Sequence, residues 1–292
     1  MQRIITRDKG SKDISVVIPV FNEKDSLHPL YENLIPILEQ TEKSFEIILI
    51  NDGSNDGSAQ TMDELSQYDP RIKTVHFKTN KGKAKGLAEG FNLAEGEIIF
   101  TMDADLQDDP REIPNFLAKL EQGFDLVSGW KRKRHDPLEK RLPSKFFNGM
   151  TSLVTGLKLH DFNCGFKAYR REILADIKVY GELHRYIPAL AHWKGYRIGE
   201  IPVQHHARQF GSSKYGLERY LRGLFDLCTV VLLTRFMQTP LYLFGISGAA
   251  ILGAGLLALG YITGLKLIYG SILGHKPLSY FGVLSVLFGS QL

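Results

Sequence analysis

The 25 residues from Leu241 to Leu265 contain no charged side chain, and this stretch constrains the fold more than any other feature. It is rich in Leu, Ile, Ala and Gly, and about 20 such residues suffice for a helix to cross the hydrocarbon of a bilayer. The sequence therefore predicts a transmembrane helix here. A second apolar stretch runs from Pro277 to Leu292. A buried hairpin helix would give the same pattern, but we favour a second span that is cut short.

The charged residues are segregated from this apolar end. The 292 residues include 36 Lys and Arg and 32 Asp and Glu, and only Lys266 and Lys276 lie after position 241. With 43% hydrophobic residues, the chain is neither disordered nor collagen-like. Cys164 and Cys228 lack the spacing of a zinc site or a disulfide scaffold, so reduced thiols are expected.

The amino-terminal end is polar and lacks the apolar core of a signal peptide. We therefore expect a cytoplasmic domain over residues 1–215, an amphipathic juxtamembrane helix over 216–237 and a transmembrane region over 238–292. Another amphipathic segment, near 144–158, is predicted to lie at the membrane interface. A buried core helix would show the same periodicity. The expected location is the inner (plasma) membrane, with a multi-pass anchor.

Short β-branched runs alternate with amphipathic stretches of helical length before position 130. The predicted strands are residues 14–20, 45–51, 72–77, 97–102 and 124–129. The predicted helices are residues 26–41, 58–68, 83–94 and 110–121. Alternation of this kind predicts an α/β fold in which helices flank a mostly parallel sheet.

Polar side chains follow the predicted strands, and ligands of parallel sheets bind beyond the carboxyl ends of the strands. Asp103 and Asp105 come directly after the fourth strand, and Gln107 adds a neutral oxygen. Hard oxygen ligands hold Mg²⁺ or Mn²⁺, and a nucleotide diphosphate completes the shell. Two aspartates in a surface turn are common, but their place after a buried strand favours a metal site. The glycine-rich dinucleotide motif is absent after the first strand.

Two further segments point to the same edge. Asp52 lies in NDGSNDGS after the second strand, where it either forms a turn or helix cap or contacts a base or ribose. The segment NKGKAKGL at 80–87 places glycines and lysines at the start of a helix, a setting that favours an anion. A solvated cluster of lysines is the alternative for this segment.

Four motifs, VVIPVFNE, NDGSNDGS, NKGKAKGL and DADLQDDP, occur in this order between positions 16 and 110. Together they resemble the inverting family 2 glycosyltransferases, which have the Rossmann-like GT-A fold. The closer resemblance is to the polyisoprenyl-phosphate glycosyltransferases, which include dolichol-phosphate mannose synthase and bacterial undecaprenyl-phosphate sugar transferases. The resemblance continues through DFNCGFKAYRREI and HHARQFGSSKYG and covers nearly the whole chain.

The resemblance implies that one sugar moves from a UDP- or GDP-sugar to a polyprenyl phosphate, since the QxxRW motif of processive synthases is absent. It implies that Asp52 and Asp103 contact the nucleoside, and that Pro19 and Glu23 shape the base pocket. The predicted donor-binding residues are Pro19, Val20, Asn22, Glu23, Asp52, Lys81, Lys85, Asp103 and Ala104. The predicted ligands of Mg²⁺ or Mn²⁺ are Asp103, Asp105 and Gln107.

A lipid phosphate is largely dianionic at neutral pH, because its second pKa is about 6, so it is already a competent nucleophile. The acceptor side therefore needs cations more than a strong base. The predicted phosphate-binding residues are Lys131, Arg134, Arg141, Arg208, Ser213 and Lys214. The resemblance assigns Arg208 to phosphate binding. It places Lys131 near the position of a family arginine, where lysine supplies a point charge and no bidentate fork.

Asp161 occupies the acidic position that precedes GF in the family. The resemblance implies that Asp161 orients the acceptor or acts as a base, whereas its structural alternative is to brace the loop. Asp105 and Asp161 are therefore the predicted catalytic residues.

The expected partners are the nucleotide sugar, the polyprenyl phosphate and membrane lipids. The basic patches suit anionic headgroups, and no nucleic-acid motif accompanies them, so no nucleic acid is expected. A homo-oligomer is left open. Two other functions fit the sequence less well: transfer to another membrane acceptor such as a glycerolipid, and nucleotide-sugar binding without catalysis.

Overall fold

The computed structural model describes residues 12–132, 148–177, 183–206, 225, 229, 231–232, 240–270 and 276–292. The chain divides into two compact units, Met1–Val230 and Val231–Leu292. Most of the predicted juxtamembrane helix lies outside the described residues. The same holds for five predicted phosphate-binding residues, namely Arg134, Arg141, Arg208, Ser213 and Lys214.

One sheet organises the first unit. Its strands in the described residues are β1 (Lys12–Val20), β2 (Phe45–Asn51), β3 (Ile72–His76), β4 (Gly96–Thr101), β5 (Leu126–Lys131), β6 (Lys167–Arg170) and β7 (Ile198–Val203). The spatial order is β3-β2-β1-β4-β6-β5-β7. Strand β6 is antiparallel to β4 and β5, and the other pairs are parallel. The predicted mostly parallel α/β sheet is confirmed, and β6 and β7 extend the five predicted strands.

The helices of this unit connect the strands. They are α1 (Lys24–Gln40), α2 (Ser58–Tyr68), α3 (Lys83–Leu93), α4 (Ile113–Glu121), α5 (Arg171–Asp176) and α6 (Ile187–Trp193), with 3-10 turns at Pro110–Glu112 and Leu183–Arg185. Residues 148–155 are also helical. Asp109 caps the turn before α4, because its carboxylate accepts a hydrogen bond from the Arg111 amide.

The middle of the sheet is buried on both faces. Five consecutive residues of β1, Ile14 to Ile18, and all seven residues of β2 are buried. Apolar runs of this kind form central strands because helices cover both sides of a parallel sheet. Strand β1 lies between β2 and β4, so the carboxyl ends of these three parallel strands lie side by side.

The second unit contains α7 (Pro240–Tyr269) and α8 (Lys276–Gln291). Glycines allow the two helices to approach closely: a Cβ on Gly255 would lie 2.8 Å from the Gly282 carbonyl oxygen, and one on Gly248 would lie 2.8 Å from the Gly289 carbonyl oxygen. Small residues at such positions are typical of membrane helix pairs. Among the described residues, one helical stretch, Phe244–Tyr269, is long and apolar enough to cross a membrane.

Only part of the predicted interfacial segment at 144–158 lies within the described residues. In its helical portion Thr151 is fully buried, whereas the Leu153 residue is 77% exposed. Leu157 is buried again. The exposed leucine suits an apolar partner, and the interfacial placement stays a prediction.

Candidate active site

The loops that follow β1 and β2 are bound to each other. Asn22 adopts a left-handed backbone with φ 54°, which asparagine tolerates better than most residues. Its amide donates to the Ser54 hydroxyl at 3.0 Å, and its side-chain oxygen accepts from the Asn55 amide at 2.9 Å. The Glu23 amide donates to the Ser58 hydroxyl at 3.0 Å. These bonds place Asn22 and Glu23, two residues predicted to bind the sugar donor, at the carboxyl edge of the sheet.

The other predicted residues of this strand differ in exposure. Pro19 is half-buried beside the site, whereas the Val20 side chain is fully buried in the apolar core. Any contact between Val20 and the sugar donor would therefore be made by the Val20 backbone.

Asp52 braces the loop that precedes α3. Its carboxylate is 3% exposed and accepts hydrogen bonds from the Lys81 amide at 2.6 Å and the Gly82 amide at 2.9 Å. The adjoining Gly53 has φ +73°, and a Cβ there would lie 2.6 Å from the Thr79 carbonyl carbon. The turn-forming alternative for Asp52 is thus present in the structure, and the nucleoside contact stays a prediction.

Asp103 pairs with a lysine that lies outside the predicted set. Lys83, the first residue of α3, donates from its ammonium to the Asp103 carboxylate. Lys85 is exposed, and the Lys81 ammonium lies 4.8 Å from the centre of the Phe77 ring. Residues two apart on a helix point about 200° away from each other, so only one of Lys83 and Lys85 can face the sheet edge.

The Asp103 carboxylate is held in its ionised form. Burial alone would raise its pKa, but the ammonium groups of Lys83 and Lys131 outweigh burial and lower the pKa below its ordinary value. Asp103 is therefore a negative charge at neutral pH, as the predicted donor and metal contacts require.

We expect the Lys83→Ala variant to raise the KM for the sugar donor by about tenfold, the effect of losing roughly 1.4 kcal/mol of binding. The reason is that Asp103 would lose the ammonium group that is hydrogen-bonded to its carboxylate. Lys85→Ala is the matched control, because Lys85 lies two residues away and is exposed. Initial rates over a range of donor concentrations measure both. Equal KM values for the two variants would contradict the role assigned to Lys83 and would favour the predicted Lys85.

The predicted metal ligands lie in a tight turn after β4. Asp105 is 8% exposed, and Leu106 has φ 61°, an uncommon backbone for a residue other than glycine. The Gln107 amide donates to the Asp105 carboxylate at 3.3 Å. The Gln107 side-chain nitrogen donates to the His206 carbonyl at 3.3 Å. The Asp105 carboxylate therefore takes part in the hydrogen bonding of the turn itself.

The donor set at this turn is chemically suited to Mg²⁺ or Mn²⁺, because it consists of hard oxygen atoms. Within the described residues, no three His, Cys, Asp or Glu side chains form a complete cage. Mg²⁺ is typically bound by one or two carboxylates and completed by substrate phosphates. Asp103 and Asp105 fit that pattern.

Lys131 faces inward from the end of β5. Its side chain is 14% exposed, and its ammonium lies 3.4 Å from the Asp108 carboxylate. Burial would lower its pKa, but Asp108 and neighbouring acidic groups outweigh burial and raise it. The predicted phosphate-binding lysine is therefore charged and lies among carboxylates.

The loop at 159–165 carries Asp161, which is 1% exposed. Its carboxylate accepts from the Asn163 amide at 3.0 Å. Four side chains from different elements hold the backbone of this loop. Asn148 donates a hydrogen bond to the His160 carbonyl, and Thr101 donates one to the Gly165 carbonyl. Lys167 donates one to the Cys164 carbonyl, and the Glu200 carboxylate accepts one from the Asp161 amide. The Asp161 carboxylate therefore braces the loop through Asn163, and the backbone of Asp161 is fixed by Glu200.

Two side chains near Asp103, those of Lys167 and His184, lie outside the predicted set. Lys167 is 3% exposed, and burial lowers its pKa. Burial, with repulsion from Lys83, lowers the pKa of His184 well below its ordinary value, so its imidazole is neutral. Lys167 lies opposite Thr101 in the β4 and β6 pair. The position of Lys167 follows from the pairing of β6 with β4 and not from local sequence, because KAYR lacks the apolar pattern of a buried strand.

The family model for glycosyl transferase family 2 matches residues 15–178. The chain therefore belongs to the family 2 glycosyltransferases and is an enzyme of sugar transfer. Dodecaprenyl-phosphate galacturonate synthase of Rhizobium johnstonii is 36% identical, over all of this chain and 90% of the relative. Undecaprenyl-phosphate 4-deoxy-4-formamido-L-arabinose transferase of Proteus mirabilis is 36% identical, over 95% of this chain and 84% of the relative. Within the family, the chain belongs to the polyprenyl-phosphate glycosyltransferases.

Solved structures share the fold. Glucosyl-3-phosphoglycerate synthase from Mycobacterium tuberculosis, in complex with Mn²⁺, UDP and glucosyl-3-phosphoglycerate, aligns with a TM-score of 0.59 and 18% identity. The alignment covers 77% of this chain and 80% of that chain. The likeness concerns the fold, and the predicted GT-A fold is confirmed.

Proposed function

We propose that this protein transfers one sugar from a UDP- or GDP-sugar to a polyprenyl phosphate at the cytoplasmic face of the plasma membrane. The observation that carries the proposal is that Asp52, Asp103 and Asp105 follow the carboxyl ends of β2 and β4, the two strands that flank β1. The relatives support it, because those reported above are named for sugar transfer involving dodecaprenyl or undecaprenyl phosphate and align over most of this chain.

On the donor side, Pro19 and Glu23 shape the base pocket, Asn22 binds the nucleotide sugar, and Asp52 and Asp103 contact the nucleoside. The contact between Lys83 and Asp103 supports this role, because it holds the carboxylate in place and ionised. Asp103 and Asp105, with Gln107, would hold Mg²⁺ or Mn²⁺. When bound, the ion neutralises charge that develops on the leaving diphosphate.

On the acceptor side, an oxygen of the lipid phosphate forms a bond to the anomeric carbon of the sugar. The bond between that carbon and the diphosphate breaks, and its electron pair leaves with the nucleoside diphosphate. Attack opposite the leaving group inverts the anomeric centre. No proton transfer is needed, because the phosphate dianion is the nucleophile. Lys131 and Arg208 bind the phosphate, and Asp161 orients it.

The membrane supplies the acceptor. Helix α7 spans the bilayer, and α8, which is 16 residues long, belongs to a second span of a multi-pass anchor. The exposed Leu153 in the helical residues 148–155 supports an interfacial placement of this segment. Such a placement would hold the active site near the lipid headgroups.

Transfer of label from a panel of UDP- and GDP-sugars tests the proposal. Detergent-solubilised full-length protein is incubated with undecaprenyl phosphate and either Mg²⁺ or Mn²⁺. We expect a lipid-soluble product from one donor and none when the ion is chelated. Label that enters a glycerolipid instead, with none on the polyprenyl phosphate, would overturn the acceptor assignment. Detectable donor binding without turnover on either acceptor would favour a non-catalytic binding protein.

A further inference from the structure

Glu200 lies on β7, 39 residues after Asp161 in the sequence. Its side chain is 12% exposed, and in the parallel pair of β5 and β7 it lies opposite Ser128. A mostly buried carboxylate needs hydrogen-bond or ionic partners, because burying an unpaired charge is costly. Its partners therefore indicate what it does.

Within the part of the chain that the structure describes, the hydrogen bonds of the Glu200 side chain all go to the loop that carries Asp161. One carboxylate oxygen accepts from the His160 amide at 2.9 Å and from the Asp161 amide at 3.1 Å. The other oxygen lies 2.7 Å from Nδ1 of His160. Bonds from backbone amides to a carboxylate are charge-assisted and are stronger than neutral ones. Two successive amides on one oxygen fix the backbone direction at Asp161.

The His160 side chain adds a second restraint on the same residues. Its ring stacks on Trp130, with ring centres 4.0 Å apart and planes 17° apart. The carbonyl of His160 accepts from the Asn148 side chain at 2.8 Å. Glu200 and Trp130 both belong to the paired strands β5 and β7, so the sheet itself holds the start of this loop.

We propose that Glu200 is a positioning residue that fixes the Asp161 carboxylate for acceptor orientation. The inference rests on the proposed function, in which Asp161 orients the lipid phosphate. Among the described residues, the Glu200 side chain bonds to His160 and Asp161 and to no donor-side residue, so its removal acts on the transfer step and leaves donor binding intact.

The test compares kcat and donor KM for Glu200→Ala and Glu200→Gln in the full-length protein. We expect Glu200→Ala to lower kcat by about 10- to 100-fold, since a misplacement of about 1 Å can cost 10²-fold. The donor KM is expected to stay unchanged. Glu200→Gln is expected to recover part of the rate, because its side-chain oxygen still accepts from both amides. Glu97→Ala is the control, because Glu97 is an exposed carboxylate on β4.

Three outcomes separate the claims. Wild-type kcat in both Glu200 variants, with Asp161→Ala inactive, would overturn the positioning role and leave the proposed function standing. Parallel changes in kcat, donor KM and melting temperature would also overturn it, because they would indicate a general structural role. Full activity of Asp161→Ala would refute the role of Asp161 itself.

Discussion

Replacement of Asp105 by alanine is expected to lower sugar transfer by about 10²- to 10³-fold or more, the range found when one group that stabilises a transition state is removed. Asp105 is 8% exposed at the turn after β4 and supplies an oxygen donor beside Asp103. Its loss would remove one of the three proposed ligands of the ion that neutralises charge on the departing diphosphate. Initial rates over a titration of Mg²⁺ or Mn²⁺ measure the effect.

The fold should survive this change. Asp105 belongs to none of the apolar core clusters, so we expect the melting temperature of Asp105→Ala to remain close to that of the wild type. Asp25→Ala is the control, since Asp25 is an exposed aspartate in the first turn of α1. Full activity of Asp105→Ala at saturating donor would remove the metal role assigned to it.

Substitution of Gly165 by alanine is expected to raise the dissociation constant of the donor by about 10²-fold, close to 2.7 kcal/mol. A Cβ at this position would lie 2.6 Å from Oδ2 of Asp103 and 2.9 Å from its Cγ. The loop has little room to withdraw, because the Thr101 hydroxyl donates to the Gly165 carbonyl at 2.7 Å. The Asp103 carboxylate would therefore be displaced from Lys83.

Calorimetric titration with the donor checks this prediction. The matched control is Gly149→Ala, because a Cβ on Gly149 would meet no heavy atom within 4 Å. We expect the control to bind the donor like the wild type. Wild-type affinity in Gly165→Ala would show that the Asp103 carboxylate tolerates displacement, and it would weaken the donor role of Asp103.

The residues predicted most directly from sequence are those that close buried parallel strands. Asp52 follows β2, and Asp103 and Asp105 follow β4, so the chain order alone places them at one edge. Strand β1 lies between these two strands, so the three carboxylates follow the ends of strands that flank β1. Local hydrophobic runs carry this information because each run is buried on both faces.

Other site residues depend on contacts that local patterns do not encode. Lys83 and Lys85 have the same chemistry, and only the phase of α3 decides which one faces Asp103. Lys167 reaches the site because the four-residue strand β6 pairs with β4. Glu200 reaches the Asp161 loop through the pairing of β7 with β5. These pairings join residues far apart in sequence, and the short or proline-containing strands involved have weak signals of their own.

At the apolar carboxyl-terminal end, too, the helix is predictable from sequence and its tertiary contact is not. The uncharged stretch from Leu241 to Leu265 predicts a helix, and α7 spans Pro240–Tyr269. The close approach of Gly255 to Gly282 could not be read from composition, because glycine is common throughout this region. Hydropathy indicates which segment is apolar, whereas helix pairing depends on the order of small residues along both helices.

The mass of the lipid product is the most direct test of the central claim. Full-length protein is supplied with undecaprenyl phosphate, a glycerolipid and the donor that supports turnover, and the extracted lipids are analysed by mass spectrometry. We predict undecaprenyl phosphate that carries one sugar, formed in equal amount to the nucleoside diphosphate released. A sugar attached to the glycerolipid, or several sugars on one polyprenyl phosphate, would contradict the account.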